Sequence, residues 1–204
     1  MTAFAATVAG AGVTVADVDA REAQLRSAIP AAALPRAGTS EGRQLRRWLT
    51  QVLVTERVIA GEAAAVGLTA EDAPAEDELL PDDSARLEIG SVAAAALADP
   101  LARAMFAYVT AAVDVVDSEV VDYHARNPWR FAAPTDAGNG WRAAAFDAPP
   151  LEAVRPLIVE HLRDAARRRA FRLWLDARRA ELVRLEPGYE HPGDPRQPDN
   201  THRH

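Results

Sequence analysis

The chain has 204 residues, of which 49% are hydrophobic and 6% aromatic, and its formal net charge is −7. Such a length and apolar content allow a packed core in one large or two small domains. Nucleic-acid binding needs a basic surface, so the acidic balance predicts no nucleic-acid partner. The sequence contains no cysteine, which excludes disulfides, thiolate nucleophiles and cysteine-ligated metal centres.

The N-terminal stretch MTAFAATVAGAGVTVADVD has no basic leading region and no long apolar core. It therefore lacks the features of a signal peptide. No segment approaches the roughly 20 apolar residues that a membrane-spanning helix needs. We expect a soluble cytoplasmic protein with no membrane partner.

The first half of the chain predicts two helices. A short extended piece and a Gly-x-Gly turn at 10–12 precede a helix that Asp17 or Asp19 can cap. Apolar residues at three- and four-residue spacing predict a longer helix at about 40–66. The acidic run at 69–88 is typical of a solvated loop.

The second half alternates helical segments with proline and glycine stops. In chain order the prediction is a helix at about 84–98, a helix starting at Pro100, a helix capped by Asp117 or Ser118 and ending before Pro128, an irregular stretch at 132–149, and a long helix at 151–185. Gly188 ends the long helix. The predicted fold class is all-α, with five or six helices in one domain at 1–187 and a Pro/His-rich tail at 188–204.

The tail GYEHPGDPRQPDNTHRH carries three of the five histidines. Its candidate metal ligands are His191, Asp194, Asp199, His202 and His204. Two or three imidazoles with a carboxylate suit zinc, iron, manganese or nickel. The alternatives are a disordered terminus that binds nothing specific and a metal site with a purely structural role.

Tyr123 and His124 are the candidates for proton transfer. They lie near the end of a predicted helix, where Asp122 and His124 could face a cleft as an acid–base pair. A histidine that caps the helix end or hydrogen-bonds to solvent is the alternative interpretation.

The order of several motifs resembles the helical chaperone domain of SurA-type, parvulin-containing foldases. The matching residues are Glu62, Ala63, Gly67 and Leu68 at the end of one long helix; Tyr123, His124, Asn127, Pro128, Arg130 and Phe131 in a YYxxNPxRF-like segment; and Ala170, Phe171, Trp174 and Leu175 in an AFxxWL-like helix. The resemblance implies a SurA-like helical scaffold with a binding cleft. The family inserts its isomerase domain after the NPxRF-like segment. This chain has only the stretch at 132–149 there, so we expect no prolyl isomerase activity.

The whole chain is also similar to small actinobacterial proteins found beside aromatic-polyketide genes, some of which are labelled malonyl-CoA–acyl-carrier-protein transacylases. A malonyl transferase needs a larger α/β fold with a supported Ser–His pair, which this chain lacks.

Two functional hypotheses follow. The first is an accessory or tailoring protein of secondary metabolism that binds an apolar ligand in a helical cleft, with a divalent metal held by the tail. The second is a chaperone-like module that binds a peptide and catalyses nothing. The sequence does not decide whether the protein is an enzyme.

Overall fold

A computed structural model describes residues 3–71, 73–132 and 148–192 of the chain. Within these ranges the structure has eight α-helices and one three-stranded sheet, so the prediction of an all-α fold is wrong. The strands are β1 (Phe4–Val8), β2 (Ala11–Thr14) and β3 (Val183–Leu185), and the helices are α1 (Val15–Ala28), α2 (Ser40–Ala65), α3 (Glu76–Leu79), α4 (Asp83–Ile89), α5 (Ser91–Ala96), α6 (Pro100–Val109), α7 (Asp117–Arg126) and α8 (Leu151–Leu182).

The sheet joins two distant parts of the chain. β1 lies between β2 and β3 and is antiparallel to both. The turn between β1 and β2 consists of Ala9 and Gly10, with φ of 48° and 83°. Two consecutive positive φ angles are what a type I′ hairpin turn requires. β3 occupies the other edge of β1, so the end of the predicted long helix is extended rather than helical.

Capping residues set where the first two helices begin. Thr14 caps α1: its hydroxyl accepts a hydrogen bond from the Asp17 N–H at 3.0 Å, and the Asp17 carboxylate accepts one from the Thr14 N–H at 2.8 Å. This reciprocal pair is a capping box, in which Asp17 acts from the third helical position rather than as the cap itself. Thr39 caps α2: its hydroxyl accepts a hydrogen bond from the Gly42 N–H at 3.1 Å. The predicted helix at 40–66 is confirmed as α2.

The acidic segment differs from its prediction. The run expected to be a loop contains α3 and most of α4. The helix expected at 84–98 is interrupted at Gly90, whose φ of 89° ends α4 before α5 begins. Glycine adopts this conformation without the strain of a Cβ atom. The resulting turn between α4 and α5 faces the second half of α8.

α8 is the longest element, with 32 residues, or about 48 Å along its axis. Near its start Val154 and Ile158 pack with Val120 of α7 in a small cluster. Further along, Phe171 and Leu175 belong to the main core. The two ends of this helix therefore lie in separate surroundings. No helix of the described residues has both the length and the apolar character needed to cross a bilayer.

Candidate functional site

The predicted proton-transfer residues lie at the contact between α7 and α8. The His124 Nε2 atom is 2.9 Å from the carbonyl oxygen of Pro149, just before α8 begins. A carbonyl oxygen only accepts, so Nε2 carries the proton in this hydrogen bond. The Tyr123 ring lies 5.3 Å from the His161 ring and 6.3 Å from that of Phe131, measured between centroids. Both side chains thus make contacts that hold α7 against α8.

Of the five predicted metal ligands, only His191 belongs to the described residues. Asp194, Asp199, His202 and His204 lie outside them. Within the described ranges no group of three or more His, Asp or Glu side chains is arranged to hold a metal ion. The metal site therefore stays a prediction.

The structure does not bring His191 together with Tyr123 and His124. His161, which contacts Tyr123, and Arg179, which lines a cleft together with His191, are eighteen positions apart on α8. At 1.5 Å per residue the separation is about 27 Å along the helix axis. His191 could therefore not act on one small substrate together with Tyr123 and His124 in this arrangement.

A cleft lies at the far end of α8. Its volume is about 570 Å³, within the range of small-molecule sites. We call it the arginine cleft. It is lined by Gln51 of α2, residues Ile89, Gly90, Ser91, Val92 and Ala93 at the α4–α5 turn, Arg172, Leu175, Asp176, Arg179 and Ala180 of α8, residues Val183, Arg184 and Leu185 of β3, and His191.

Three arginines line the cleft, and in the described residues no ion pair joins any of them to a carboxylate. This distinguishes them from other arginines of the same helix. Arg178, the neighbour of Arg179, forms ion pairs at 2.6 Å with both Glu62 and Glu181. The paired arginines elsewhere on α8 are Arg155, Arg163 and Arg168. Guanidinium groups without a carboxylate partner give the cleft a positive local charge in an acidic protein.

Arg179 is the cleft arginine with the least access to water. Its guanidinium donates to the Oε1 atom of Gln51, whose side chain is 1% exposed. Burial lowers the pKa of Arg179 from its ordinary value, and the negative charge of Asp176 acts in the opposite direction. The lowered pKa means that burial raises the free energy of the cationic form. An anion seated beside Arg179 would relieve this.

The other two arginines are more exposed. Arg172 donates to the main-chain carbonyl of Glu88 at 2.9 Å. Arg184 donates to the carbonyls at the end of α8, the closest being that of Val183 at 2.9 Å. Arg184 therefore helps to cap the helix. The positive charge available to a ligand rests mainly on Arg179 and Arg172.

The floor of the cleft is apolar. Ile89, Leu175 and Val92 are 1%, 2% and 8% exposed. An apolar floor beneath charged donors is the usual composition of a site for an amphiphilic small molecule.

The first residues of the tail pack beside the cleft. We call residues 188–191 the strap. The Nε atom of Arg47 donates to the Gly188 carbonyl at 3.1 Å, and the Nε2 atom of Gln51 donates to the Tyr189 carbonyl at 2.9 Å. Tyr189 also packs against a small apolar cluster of Ala5, Val18 and Leu49. This part of the predicted tail thus has a defined place on α2.

Sequence reasoning missed the arginine cleft. The arginine-rich run 163–179 gives no sign in its sequence of which arginines are buried, yet Arg168 is 5% exposed and Arg179 is half-buried. No local pattern separates Arg179 from Arg178. The one available signal was His191, which the sequence did single out and which lies at the cleft.

Comparison with known proteins gives a single, partial match. Residues 4–41 match a family of unknown function (DUF7158). The matched segment covers β1, β2, α1 and the first residues of α2, and it contains none of the residues that line the arginine cleft. No curated protein and no solved structure matches the chain.

Proposed function

We propose that this protein binds a small molecule that has an apolar body and an anionic group, in the arginine cleft. The observation that carries the proposal is Arg179: a half-buried guanidinium, paired with the neutral amide of Gln51 and with no carboxylate in the described residues, above an apolar floor. Guanidinium groups bind carboxylates and phosphates through paired, charge-assisted hydrogen bonds.

The proposal narrows the first functional hypothesis. Acidic aromatic metabolites of the polyketide type combine fused apolar rings with a carboxylate or an acidic phenol, which is the chemistry that the cleft would recognise. The similarity to proteins found beside aromatic-polyketide genes supports that ligand class. An accessory role in such a pathway would require only binding, and the proposal does not depend on catalysis. A divalent metal held by the tail stays part of the hypothesis because His191 lies at the cleft; metal analysis of the untagged protein tests it.

The arginine cleft suits a peptide less well than it suits a small molecule. A cleft of about 570 Å³ matches one small molecule, whereas an extended peptide needs a longer groove with several side-chain pockets. The edge of β3 at the cleft wall is the feature that favours a peptide, and at three residues it offers few main-chain hydrogen bonds.

The test uses a matched pair of probes, 2-naphthoate and 2-naphthamide. They share the ring system and have substituents of similar shape, which differ in charge and in one hydrogen-bonding group. We expect the wild-type protein to bind naphthoate about tenfold more tightly than naphthamide, since a hydrogen bond to a charged group contributes about 1.5–3 kcal/mol. Arg179→Gln should remove most of this preference and change naphthamide binding by no more than about threefold. The control is Arg169→Gln, an exposed arginine of α8 that does not line the cleft.

A second variant tests the sign of the electrostatic effect. Asp176 is the carboxylate among the lining residues, and it repels an anionic ligand. Asp176→Asn should therefore strengthen naphthoate binding by roughly two- to fivefold, the range of an exposed charge interaction. Equal affinity of the wild-type protein for the two probes, or the same loss in Arg179→Gln and Arg169→Gln, would refute the proposal. Isothermal titration calorimetry measures all of these affinities.

A further inference from the structure

Gln51 connects the arginine cleft to the strap. Its Oε1 atom accepts from Arg179, and its Nε2 atom donates to the Tyr189 carbonyl at 2.9 Å. The side chain is 1% exposed, so both ends of the amide are used inside the protein. One buried side chain thus binds both the cationic group of the cleft and the main chain of the strap.

The amide of Gln51 has only one favourable orientation. Turning it over would place its N–H₂ group against the guanidinium and its oxygen against the Tyr189 carbonyl, which are two unfavourable contacts. A seated strap therefore keeps Oε1 directed at Arg179, and Arg179 is held in the cleft. Removing the strap would leave a buried N–H₂ group without its acceptor, and the amide would lose the contact that fixes it.

The strap also forms part of the cleft. Gly188 has a φ of 94°, which turns the chain after β3, and three residues later His191 lines the cleft. The hydrogen bond from the Arg47 Nε atom to the Gly188 carbonyl oxygen, 3.1 Å long, holds the start of this turn in place. A ligand that fills the cleft would contact Arg179 and the wall that the strap provides.

We infer that anion binding in the cleft and seating of the strap are coupled through Gln51, so that each favours the other. The inference rests on the proposed function and adds that the position of the strap controls the affinity of the cleft. Coupling between two binding events is reciprocal. The factor by which a bound ligand stabilises the seated strap therefore equals the factor by which releasing the strap lowers the affinity for the ligand. In coupled sites, occupation of one site typically changes the affinity of the other by about 5–150-fold. Any partner or modification that displaced the strap would lower the affinity of the cleft.

The chain offers a direct readout of the strap because it has three tyrosines. In protein labelled with 3-fluorotyrosine, Tyr108, Tyr123 and Tyr189 give three fluorine resonances, each assigned by its Tyr→Phe variant. We expect the Tyr189 resonance to shift during titration with 2-naphthoate, with the same midpoint as binding measured by calorimetry. The Tyr108 resonance serves as the internal reference, since this residue of α6 is 55% exposed and does not line the cleft.

Two variants test the link. Tyr189→Ala removes the packing against Ala5, Val18 and Leu49 that holds the strap, and it should weaken naphthoate binding at least fivefold. Tyr108→Ala is the matched control and should leave the affinity unchanged. Gln51→Met keeps the shape of the side chain and removes both hydrogen bonds, and it should weaken naphthoate by a similar factor. The double variant should bind naphthoate with about the same affinity as the single variant that binds less tightly, because both changes break the same connection.

Unchanged naphthoate affinity in Tyr189→Ala would overturn the inference, and so would additive losses in the double variant. Failure of the proposed function would look different: the wild-type protein itself would not prefer naphthoate to naphthamide. If Gln51→Met does not fold, Tyr189→Ala and the fluorine titration decide the question.

Discussion

Phe171 holds the second half of α8 to the body of the protein, and its truncation is the sharpest test of the core. The side chain is 0% exposed. Its ring lies 5.1 Å from that of Phe106 on α6 and 5.4 Å from that of Trp174, between centroids. Phe171→Ala would leave a cavity with rigid rings on two sides. Core Phe→Ala changes cost about 3–5 kcal/mol, and aromatic pairs add about 0.5–1.5 kcal/mol beyond area burial. We expect a loss of about 4 kcal/mol in the free energy of unfolding.

Urea unfolding followed by circular dichroism measures this loss. With a slope of about 2 kcal/mol per molar urea, the midpoint should fall by about 2 M. Leu173→Ala is the control, because Leu173 lies on the same helix and is 57% exposed. It should change stability by no more than about 0.5 kcal/mol. A loss below about 1.5 kcal/mol for Phe171→Ala, or equal losses for the two variants, would show that the ring is not enclosed between the helices.

Two further predictions concern stability. In α2, Gly61→Ala should stabilise the protein by about 0.5–1 kcal/mol, because helix propensity improves and no atom lies within 4 Å of the added Cβ. Gly42→Ala should destabilise the protein, because its Cβ would lie 2.3 Å from the Arg36 carbonyl oxygen. The urea midpoints of the two variants should therefore shift in opposite directions. The hydrogen bond from the Thr14 main-chain N–H, followed by smaller effects that include the charge of Arg57, lowers the pKa of Asp17 below its ordinary value of 3.8. Ionised Asp17 therefore stabilises the protein above about pH 4 and loses this effect as the pH falls through its lowered folded-state pKa. The stability difference between the wild-type protein and Asp17→Asn should be constant near neutral pH and shrink below pH 4, and an unchanged difference down to pH 2 would contradict this.

The long helices could be predicted because their signals are local. Apolar spacing and flanking stops gave α2, and Pro100 gave the start of α6. The sheet could not be predicted in the same way. β1 and β2 are five and four residues of mostly small side chains, and β3 continues the pattern of the preceding helix. Their pairing depends on partners far away in sequence.

The candidate site was less predictable than the fold. The cleft combines Gln51, the α4–α5 turn, the end of α8 and His191, which no spacing rule connects. Its formation depends on the break at Gly90, which was not predicted from the sequence, since one continuous helix was expected at 84–98. Arg179 acquires its character from burial, and burial is a property of the assembled helices. The hypothesis about the tail identified His191, which does lie at this cleft, while its other proposed ligands lie outside the described residues.

The pairing of Val8 with Val183 has a consequence for synthesis in the cell. The first strand leaves the ribosome roughly 175 positions before the strand that completes its sheet, and an isolated hairpin of this size is only marginally stable in water. Native contacts between such distant positions form late, because closing so long a loop is entropically costly. The nascent chain must therefore keep one edge of β1 uncovered until β3 has emerged, and the arginine cleft, whose wall includes β3, can form only after that point.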